Sequence, residues 1–219
     1  AQATLSITSI VDLTASAPYV GGETIDVRVN YQNTGAVDVT NVDATIDFNG
    51  ATGVSADDPA AVIVPAGGTN SQDFVITIVA GVSTQSVTID ADVAGALEQY
   101  SNRVMSASSG ANDLTVQVYA QATLLITSIV DLTGSAPYVG GETFDIQVNY
   151  DNSLGGVDVT AVDATINLNG ASDLSASNPA PVTVTAGLTN SQTFTITVDS
   201  AVATQLGVQS NRTIRWWRD

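Results

Sequence analysis

The sequence predicts an all-β chain: two tandem β-sandwiches, the second lacking its C-terminal strands. Three observations carry this. The chain repeats itself, its apolar residues recur with a period of two, and turn-forming residues separate the periodic runs at short intervals. The repeat is nearly verbatim. Ala1-Gln2-Ala3-Thr4-Leu5 returns as Ala120-Gln121-Ala122-Thr123-Leu124, and Ser16-Ala17-Pro18-Tyr19-Val20-Gly21-Gly22-Glu23-Thr24 returns as Ser135-Ala136-Pro137-Tyr138-Val139-Gly140-Gly141-Glu142-Thr143. Across the shared part, about two-thirds of aligned positions are identical. At 219 residues, two domains of about 100 residues each are expected, each large enough to bury a core without staples.

The strands follow in order. A first is expected over residues 4–13. In the next, Ile25, Val27, Val29 and Tyr31 share one face while Asp26, Arg28 and Asn30 share the other, the pattern of a half-buried strand. The second copy keeps Phe144, Ile146, Val148 and Tyr150 apolar and changes Arg28 to Gln147 on the wet face. Val42, Ala44, Ile46 and Phe48 match Val162, Ala164, Ile166 and Leu168. Phe74, Ile76 and Ile78 match Phe194, Ile196 and Val198. Further strands are expected over residues 61–64, 86–93 and 114–119, with one helical turn near residues 94–100. Gly21-Gly22, Asn33-Thr34-Gly35, Asn49-Gly50, Asp57-Asp58-Pro59 and Pro65-Ala66-Gly67-Gly68 supply the turns between them. About seven short strands per copy, rich in Thr and Val, make a sandwich.

The expected domains are residues 1–119 and 120–205, followed by an anomalous tail over 206–219. Only Tyr119-Ala120-Gln121-Ala122-Thr123 separates the closing strand of one copy from the opening strand of the next, without Gly or Pro. A connection this short does not behave as a flexible coil, so a semi-rigid rod is expected. Residue 1 already lies inside the repeated motif, so the chain reads as cut or processed from a longer protein.

The turn and core signatures resemble those of a known family. Val20-Gly21-Gly22-Glu23-Thr24 leads through alternating apolars to Asn30-Tyr31-Gln32-Asn33-Thr34-Gly35. Val39-Thr40-Asn41-Val42 follows, and Val64-Pro65-Ala66-Gly67-Gly68 precedes Ser71-Gln72-Asp73-Phe74-Val75-Ile76-Thr77. This order resembles the bacterial and archaeal surface repeats called CARDB (cell-adhesion-related domain) and related immunoglobulin-like repeats of large secreted proteins. The resemblance covers the first copy and the second to about Gln205. It implies immunoglobulin-like sandwiches strung together outside the cell as spacers or adhesive modules, and it carries over no catalytic residue.

Composition narrows the chemistry. The chain has no Cys and no His, and its five basic residues are all Arg. Ser-His-Asp, Cys-His and Ser-Lys machinery is therefore excluded, as are the usual zinc ligand sets. A net charge of −17 repels nucleic-acid phosphate and anionic lipid. No apolar run approaches the roughly 20 residues of a membrane helix, so neither nucleic acid nor membrane insertion is expected. The Gly pairs open no helix and cradle no phosphate. Of the three Glu residues, Glu23 and Glu142 occupy matching turns and Glu98 stands alone, a poor basis for paired-carboxyl hydrolysis.

Calcium is the one cofactor the residues leave open. It takes six to eight oxygens, often from loop Asp side chains. Asp57 and Asp58 are one candidate set, replaced by Ser177-Asn178 in the second copy. Asp12, Asp38 and Asp43, which recur as Asp131, Asp158 and Asp163, are another. The competing reading makes them turn formers and solvated faces. No catalytic, cofactor-binding or metal-binding residue is assigned.

The tail differs from the rest. After Gln205, the second copy abandons the pattern of Ser86-Val87-Thr88-Ile89-Asp90-Ala91-Asp92-Val93 and ends with three of the five Arg and both Trp. A frame change or truncation, an internal deletion (Ser101-Asn102-Arg103 recurs as Ser210-Asn211-Arg212), and a natively strand-deficient domain all account for it. In the last case the open sandwich would accept a strand from another chain. Trp216 and Trp217, beside Arg215 and Arg218, would suit sugar stacking if the tail is native. Tyr19 and Tyr138 are expected to cover a sandwich end or to serve as exposed contacts.

Three functions follow as expectations. The first is a non-catalytic structural or adhesive segment of a large secreted or cell-surface protein. Its partners would be neighbouring repeats, other surface proteins, glycans or like subunits. The alternatives are a subunit of an extracellular filament assembled by β-strand donation and a carbohydrate-binding accessory module of a secreted hydrolase.

Overall fold

A computed structural model describes residues 2–134 and 136–201, and it is all-β. The chain divides into two compact units, Ala1–Gln121 and Ala122–Asp219.

The first unit packs two sheets face to face. One holds β1 (Leu5–Asp12), β3 (Thr24–Asn33), β8 (Thr69–Ile78) and β6 (Val54–Ala56), in the order β1-β3-β8-β6. The other runs β2-β11-β9-β4-β7, built from β2 (Tyr19–Val20), β11 (Leu114–Tyr119), β9 (Gln85–Glu98), β4 (Val39–Val42) and β7 (Val62–Val64). Two further strands, β5 (Ala44–Asp47) and β10 (Val104–Ser108), pair with β9. Alternation explains the packing. Ile25, Val27, Val29 and Tyr31 of β3 are all buried, and Val87, Ile89, Ala91 and Val93 of β9 meet them from the opposite sheet in one core. Burying each such side chain stabilises the fold by about 1.5–3 kcal/mol.

The β1 alternation slips once. Leu5 and Ile7 face the core, then Ile10, because a bulge between Ile7 and Ser9 resets the register against β3. The same bulge lies between Ile126 and Ser128 in the second unit.

One expected element is corrected. Residues 94–98 are the end of β9, not a helical turn. Gly95, at φ +85°, is the extra residue of a bulge opposite Met105 and Ser106, and it breaks the period of two that marks the rest of the strand. The chain then turns through 99–102 and returns as β10, which was not anticipated. β2 and β6 were missed as well, being too short to show alternation.

In the second unit, β12 (Leu125–Asp131), β13 (Thr143–Asp151), β17 (Thr189–Val198) and β15 (Leu174–Ala176) form a sheet in the order β12-β13-β17-β15. β14 (Val159–Val162) and β16 (Val182–Val184) form a second sheet of two strands. Its core gathers Ile146, Val148, Tyr150, Val162, Val184, Phe194 and Ile196. Among the described residues this unit contains no equivalent of β9, β10 or β11. Residues 164–167, the counterpart of β5, are accordingly not paired as a strand. The expected end of the domain at 202–205, the 206–219 tail, and Trp216 and Trp217 lie outside the described residues.

Candidate functional site: repeated polar clusters and an open second unit

The aspartates that recur between copies are held by the fold. Asp12 Oδ1 accepts hydrogen bonds from the Thr14 and Ala15 N–H groups, both at 2.9 Å, and Asp12 Oδ2 accepts one from the Tyr19 hydroxyl at 2.5 Å. Asp131 repeats this with Thr133, Gly134 and the Tyr138 hydroxyl at 2.6 Å. The Tyr138 hydroxyl and the Gly134 N–H hold the Asp131 carboxyl below its ordinary value. Burial, and next the hydrogen bond to Asp12, push the Tyr19 phenol up. Both tyrosines are buried, which corrects the expectation that they serve as exposed contacts.

Asp38 accepts from the Ala66 N–H at 2.8 Å, and Asp158 from that of Ala186 at 2.8 Å. These bonds pin one turn to another. Asp43 and Asp163 belong to a buried cluster that links the two sheets of each unit. The Tyr31 hydroxyl donates to Gln72 Oε1 at 2.5 Å, which also accepts from the Ala44 N–H at 2.9 Å. Gln72 Nε2 donates to Asp43 Oδ1 and to the Ala60 carbonyl, both at 3.0 Å. Tyr150, Gln192, Ala164, Asp163 and Ala180 reproduce every bond. Burial raises the phenol pKa of Tyr31 and of Tyr150.

The other sequence candidates are accounted for similarly. Asp57 Oδ1 accepts from the Val75 N–H at 2.7 Å, tying its loop to β8. Glu23 and Glu142 accept from the Val20 and Val139 N–H groups within their own turns. Among the described residues, no three acidic side chains converge on one point where a cation could sit. The structure does not bring Asp12, Asp38 and Asp43 together as one set: each is tied to its own turn or cluster.

Three polar residues that organise the fold had no sequence signal as sites. Asn33 is fully buried and donates to the Val37, Val64 and Pro65 carbonyls while accepting from the Thr4 and Gly35 N–H groups. Asn152 repeats the arrangement with Val157, Val184 and Thr123. Glu98, buried in the first unit, accepts from the Ala3 N–H at 2.5 Å, the Ser101 hydroxyl at 2.5 Å and Arg103 Nε at 3.2 Å. Arg103 Nη2 also donates to the Ala3 carbonyl at 2.8 Å. This clasp fastens the N-terminal strand and, chiefly through Arg103, lowers the Glu98 pKa to about 2.

What distinguishes the second unit is exposure. Ile7 is 3% exposed, and its counterpart Ile126 is 42% exposed. In the first unit β1 packs against β9, β10, β11 and a short 3-10 turn (Gly110–Asn112), whose Asn112 donates to the Ile7 carbonyl at 3.2 Å. Leu125 and Val139 add to the exposed apolar area of the second unit, while Val130 and Leu132 are exposed much as Val11 and Leu13 are in the first. Two shallow grooves also open there. One, of about 370 Å³, lies between Asp173 and Asp199; the other, of about 320 Å³, is lined by Ala164, Ile166 and Phe194.

No family model matches the chain, and no curated protein matches it. Among solved structures it is similar to a protein of unknown function from Porphyromonas gingivalis W83. The identity is 14% and the TM-score 0.36, over 90% of this chain and 83% of that one. It is also similar to the Pseudomonas aeruginosa CupB2 chaperone, at 13% identity and a TM-score of 0.24, over 83% of this chain and 87% of that one. Likenesses at this level carry no argument about function.

Proposed function

We propose that the chain is a non-catalytic structural or adhesive segment of a larger secreted or cell-surface protein, acting as a semi-rigid spacer built from immunoglobulin-like, CARDB-like repeats. The observation that carries this reading is the junction. Gln121 Nε2 donates to the Gly21 carbonyl at 2.8 Å within the first unit, and the Thr123 N–H donates to Asn152 Oδ1 at 2.9 Å within the second. Only Ala122 stands between the two anchors, far too little chain to behave as a coil. The use of the recurring aspartates and glutamates as turn and sheet ties supports a scaffold rather than a reaction centre. The acidic surface, with its net charge of −17, suits a soluble exterior module.

The test is a distance distribution. Ser55 and Ser175 are exposed at matching positions on β6 and β15, and the chain has no native Cys to interfere. Spin labels on an S55C/S175C variant should give a narrow distribution that broadens when Gly-Ser-Gly-Ser is inserted after Ala122. A native distribution as broad as that of the insertion variant would contradict the spacer. Antibody labelling of intact source cells tests the surface location; signal only after lysis would count against it.

A further inference from the structure

We infer that the first unit is a tension-bearing element, in which the chain enters and leaves at opposite ends of the sandwich through ties that a pull loads in shear. The inference deepens the spacer reading and rests on it for its biological use, though not for its measurement. Strand β3 is the ruler. At one end of it, the Thr4 N–H donates to Asn33 Oδ1 at 3.1 Å, and the Thr34 N–H donates to the Thr4 carbonyl at 3.0 Å. At the other end, just before Thr24, the Gly21 N–H donates at 2.9 Å to the carbonyl of Tyr119, where β11 ends. β3 has ten residues, so entry and exit lie about 33 Å apart along the strands.

A pull on the two ends therefore acts along the strands. β1 begins at the entry, with Leu5 opposite Asn33, and is drawn backwards along β3. β11 is drawn forwards past its neighbours. One of these, β2, lies parallel to it, with Tyr19 opposite Val118 and Val20 opposite Tyr119. Two parallel strands, one held from its start and the other pulled from its end, slide past each other and do not unzip. β2 is held by Tyr19, which is fully buried and whose hydroxyl donates to Asp12 at the end of β1. Inter-strand bonds run across the direction of such a pull, so they share the load and fail together. Each end also carries a lock outside the strand. At the entry, Glu98 accepts from the Ala3 N–H, and Arg103 donates both to Glu98 and to the Ala3 carbonyl. At the exit, the Ala120 N–H donates to the Thr84 hydroxyl at 3.0 Å, and Gln121 Nε2 donates to the Gly21 carbonyl at 2.8 Å. These bonds brace the two points at which a pull begins.

Single-molecule force spectroscopy on the full chain tests this. Handles at the two chain ends pull the first unit in the chain direction. Handles on an S83C/A122C variant, at exposed positions of a chain with no native Cys, pull instead at the neighbouring ends of β9 and β11, where Val118 lies opposite Gln85. That geometry unzips the pair one bond at a time. In the chain direction, unfolding of the first unit is recognised by a length gain of about 40 nm, from about 115 released residues at about 3.5 Å each. At equal pulling speed, the force should be at least about twofold higher in the chain direction than in the unzipping one, because forced unfolding follows the unfolding rate along the pulled path. E98Q, and the milder R103Q, should lower the chain-direction force by about a fifth or more and leave the unzipping force, applied at the far end, unchanged. Circular dichroism checks that both variants are folded. The inference is overturned if the two directions give the same force, if folded E98Q and R103Q both unfold at the native force, or if they lower both forces equally. A broad spin-label distribution would remove the spacer reading and leave this measurement untouched.

Discussion

Tyr31 and Tyr150 sit in the same hydrogen-bonded cage, atom for atom, while Ile7 and Ile126 do not share a fate. The difference between the two units teaches where this fold draws its specificity. The β1-β3-β8-β6 sheet and its equivalent are organised by ties that both units keep: bulge, Asn clamp, Gln cluster and Asp-Tyr turn all recur. What differs is the opposite sheet. With β9, β10 and β11 in place, β1 is covered and β5 is a strand. Where no equivalents occur among the described residues, the closely similar segment 164–167 is not paired as a strand with any of them, and Ile126 meets solvent.

The sharpest way to break this comparison is truncation at the matched isoleucines. I7A removes a side chain from a filled core and should cost about 2–5 kcal/mol. I126A acts on a half-exposed one and should cost less than about 1 kcal/mol. Urea denaturation of each variant, resolved into the transitions of the two units, measures both. Equal losses would mean that Ile126 is covered in solution.

The next effect is specific to the first unit. Glu98 has its pKa lowered to about 2 from an ordinary 4.5, mainly by Arg103, with Ser101 and the Ala3 N–H contributing. A depressed carboxyl stabilises the folded state fully above its unfolded pKa and loses that contribution as pH falls through the folded one. The melting-temperature gap between the native chain and E98Q should therefore be constant above about pH 4.5 and shrink from there to about pH 2. It should appear only in the transition of the first unit. A gap independent of pH would assign the clasp to neutral hydrogen bonding.

A smaller effect arises at one backbone position. Asn41 and Ala161 are equivalent, and both have φ near +54°. Asn tolerates this region, whereas Ala pays a steric penalty there of about 1 kcal/mol. A161N should stabilise the second unit and N41A destabilise the first by similar amounts, as read from urea midpoints. Least of all should come from R28Q. Arg28 makes a bidentate pair with Asp73 at 2.7 Å, but both side chains are largely exposed, and the second copy already carries Gln147 there. Its melting temperature should match that of the native chain within error.

The strands were legible where side-chain alternation ran for several residues, as in Ile25-Val27-Val29-Tyr31, and where the second copy repeated it. They were illegible where alternation is short or broken. β2 and β6 have too few residues, and Gly95 inserts a bulge that disguises the end of β9. The turn roles of Asp12 and Asp131 were readable from their place before turns. The cages of Gln72 and Asn33 were not, because burial of a lone amide depends on contacts remote in sequence, such as Ala60 and Val64.

Amide hydrogen exchange on the native chain tests the central claim most directly, that the two units share one sheet and differ in the cover of the other. The account predicts matched protection for β3 with β13 and for β8 with β17, but much faster exchange at 165–167 than at 45–47, which pair with β9. Equal slow exchange at both segments would contradict it, because the second unit would then already hold a strand along that edge.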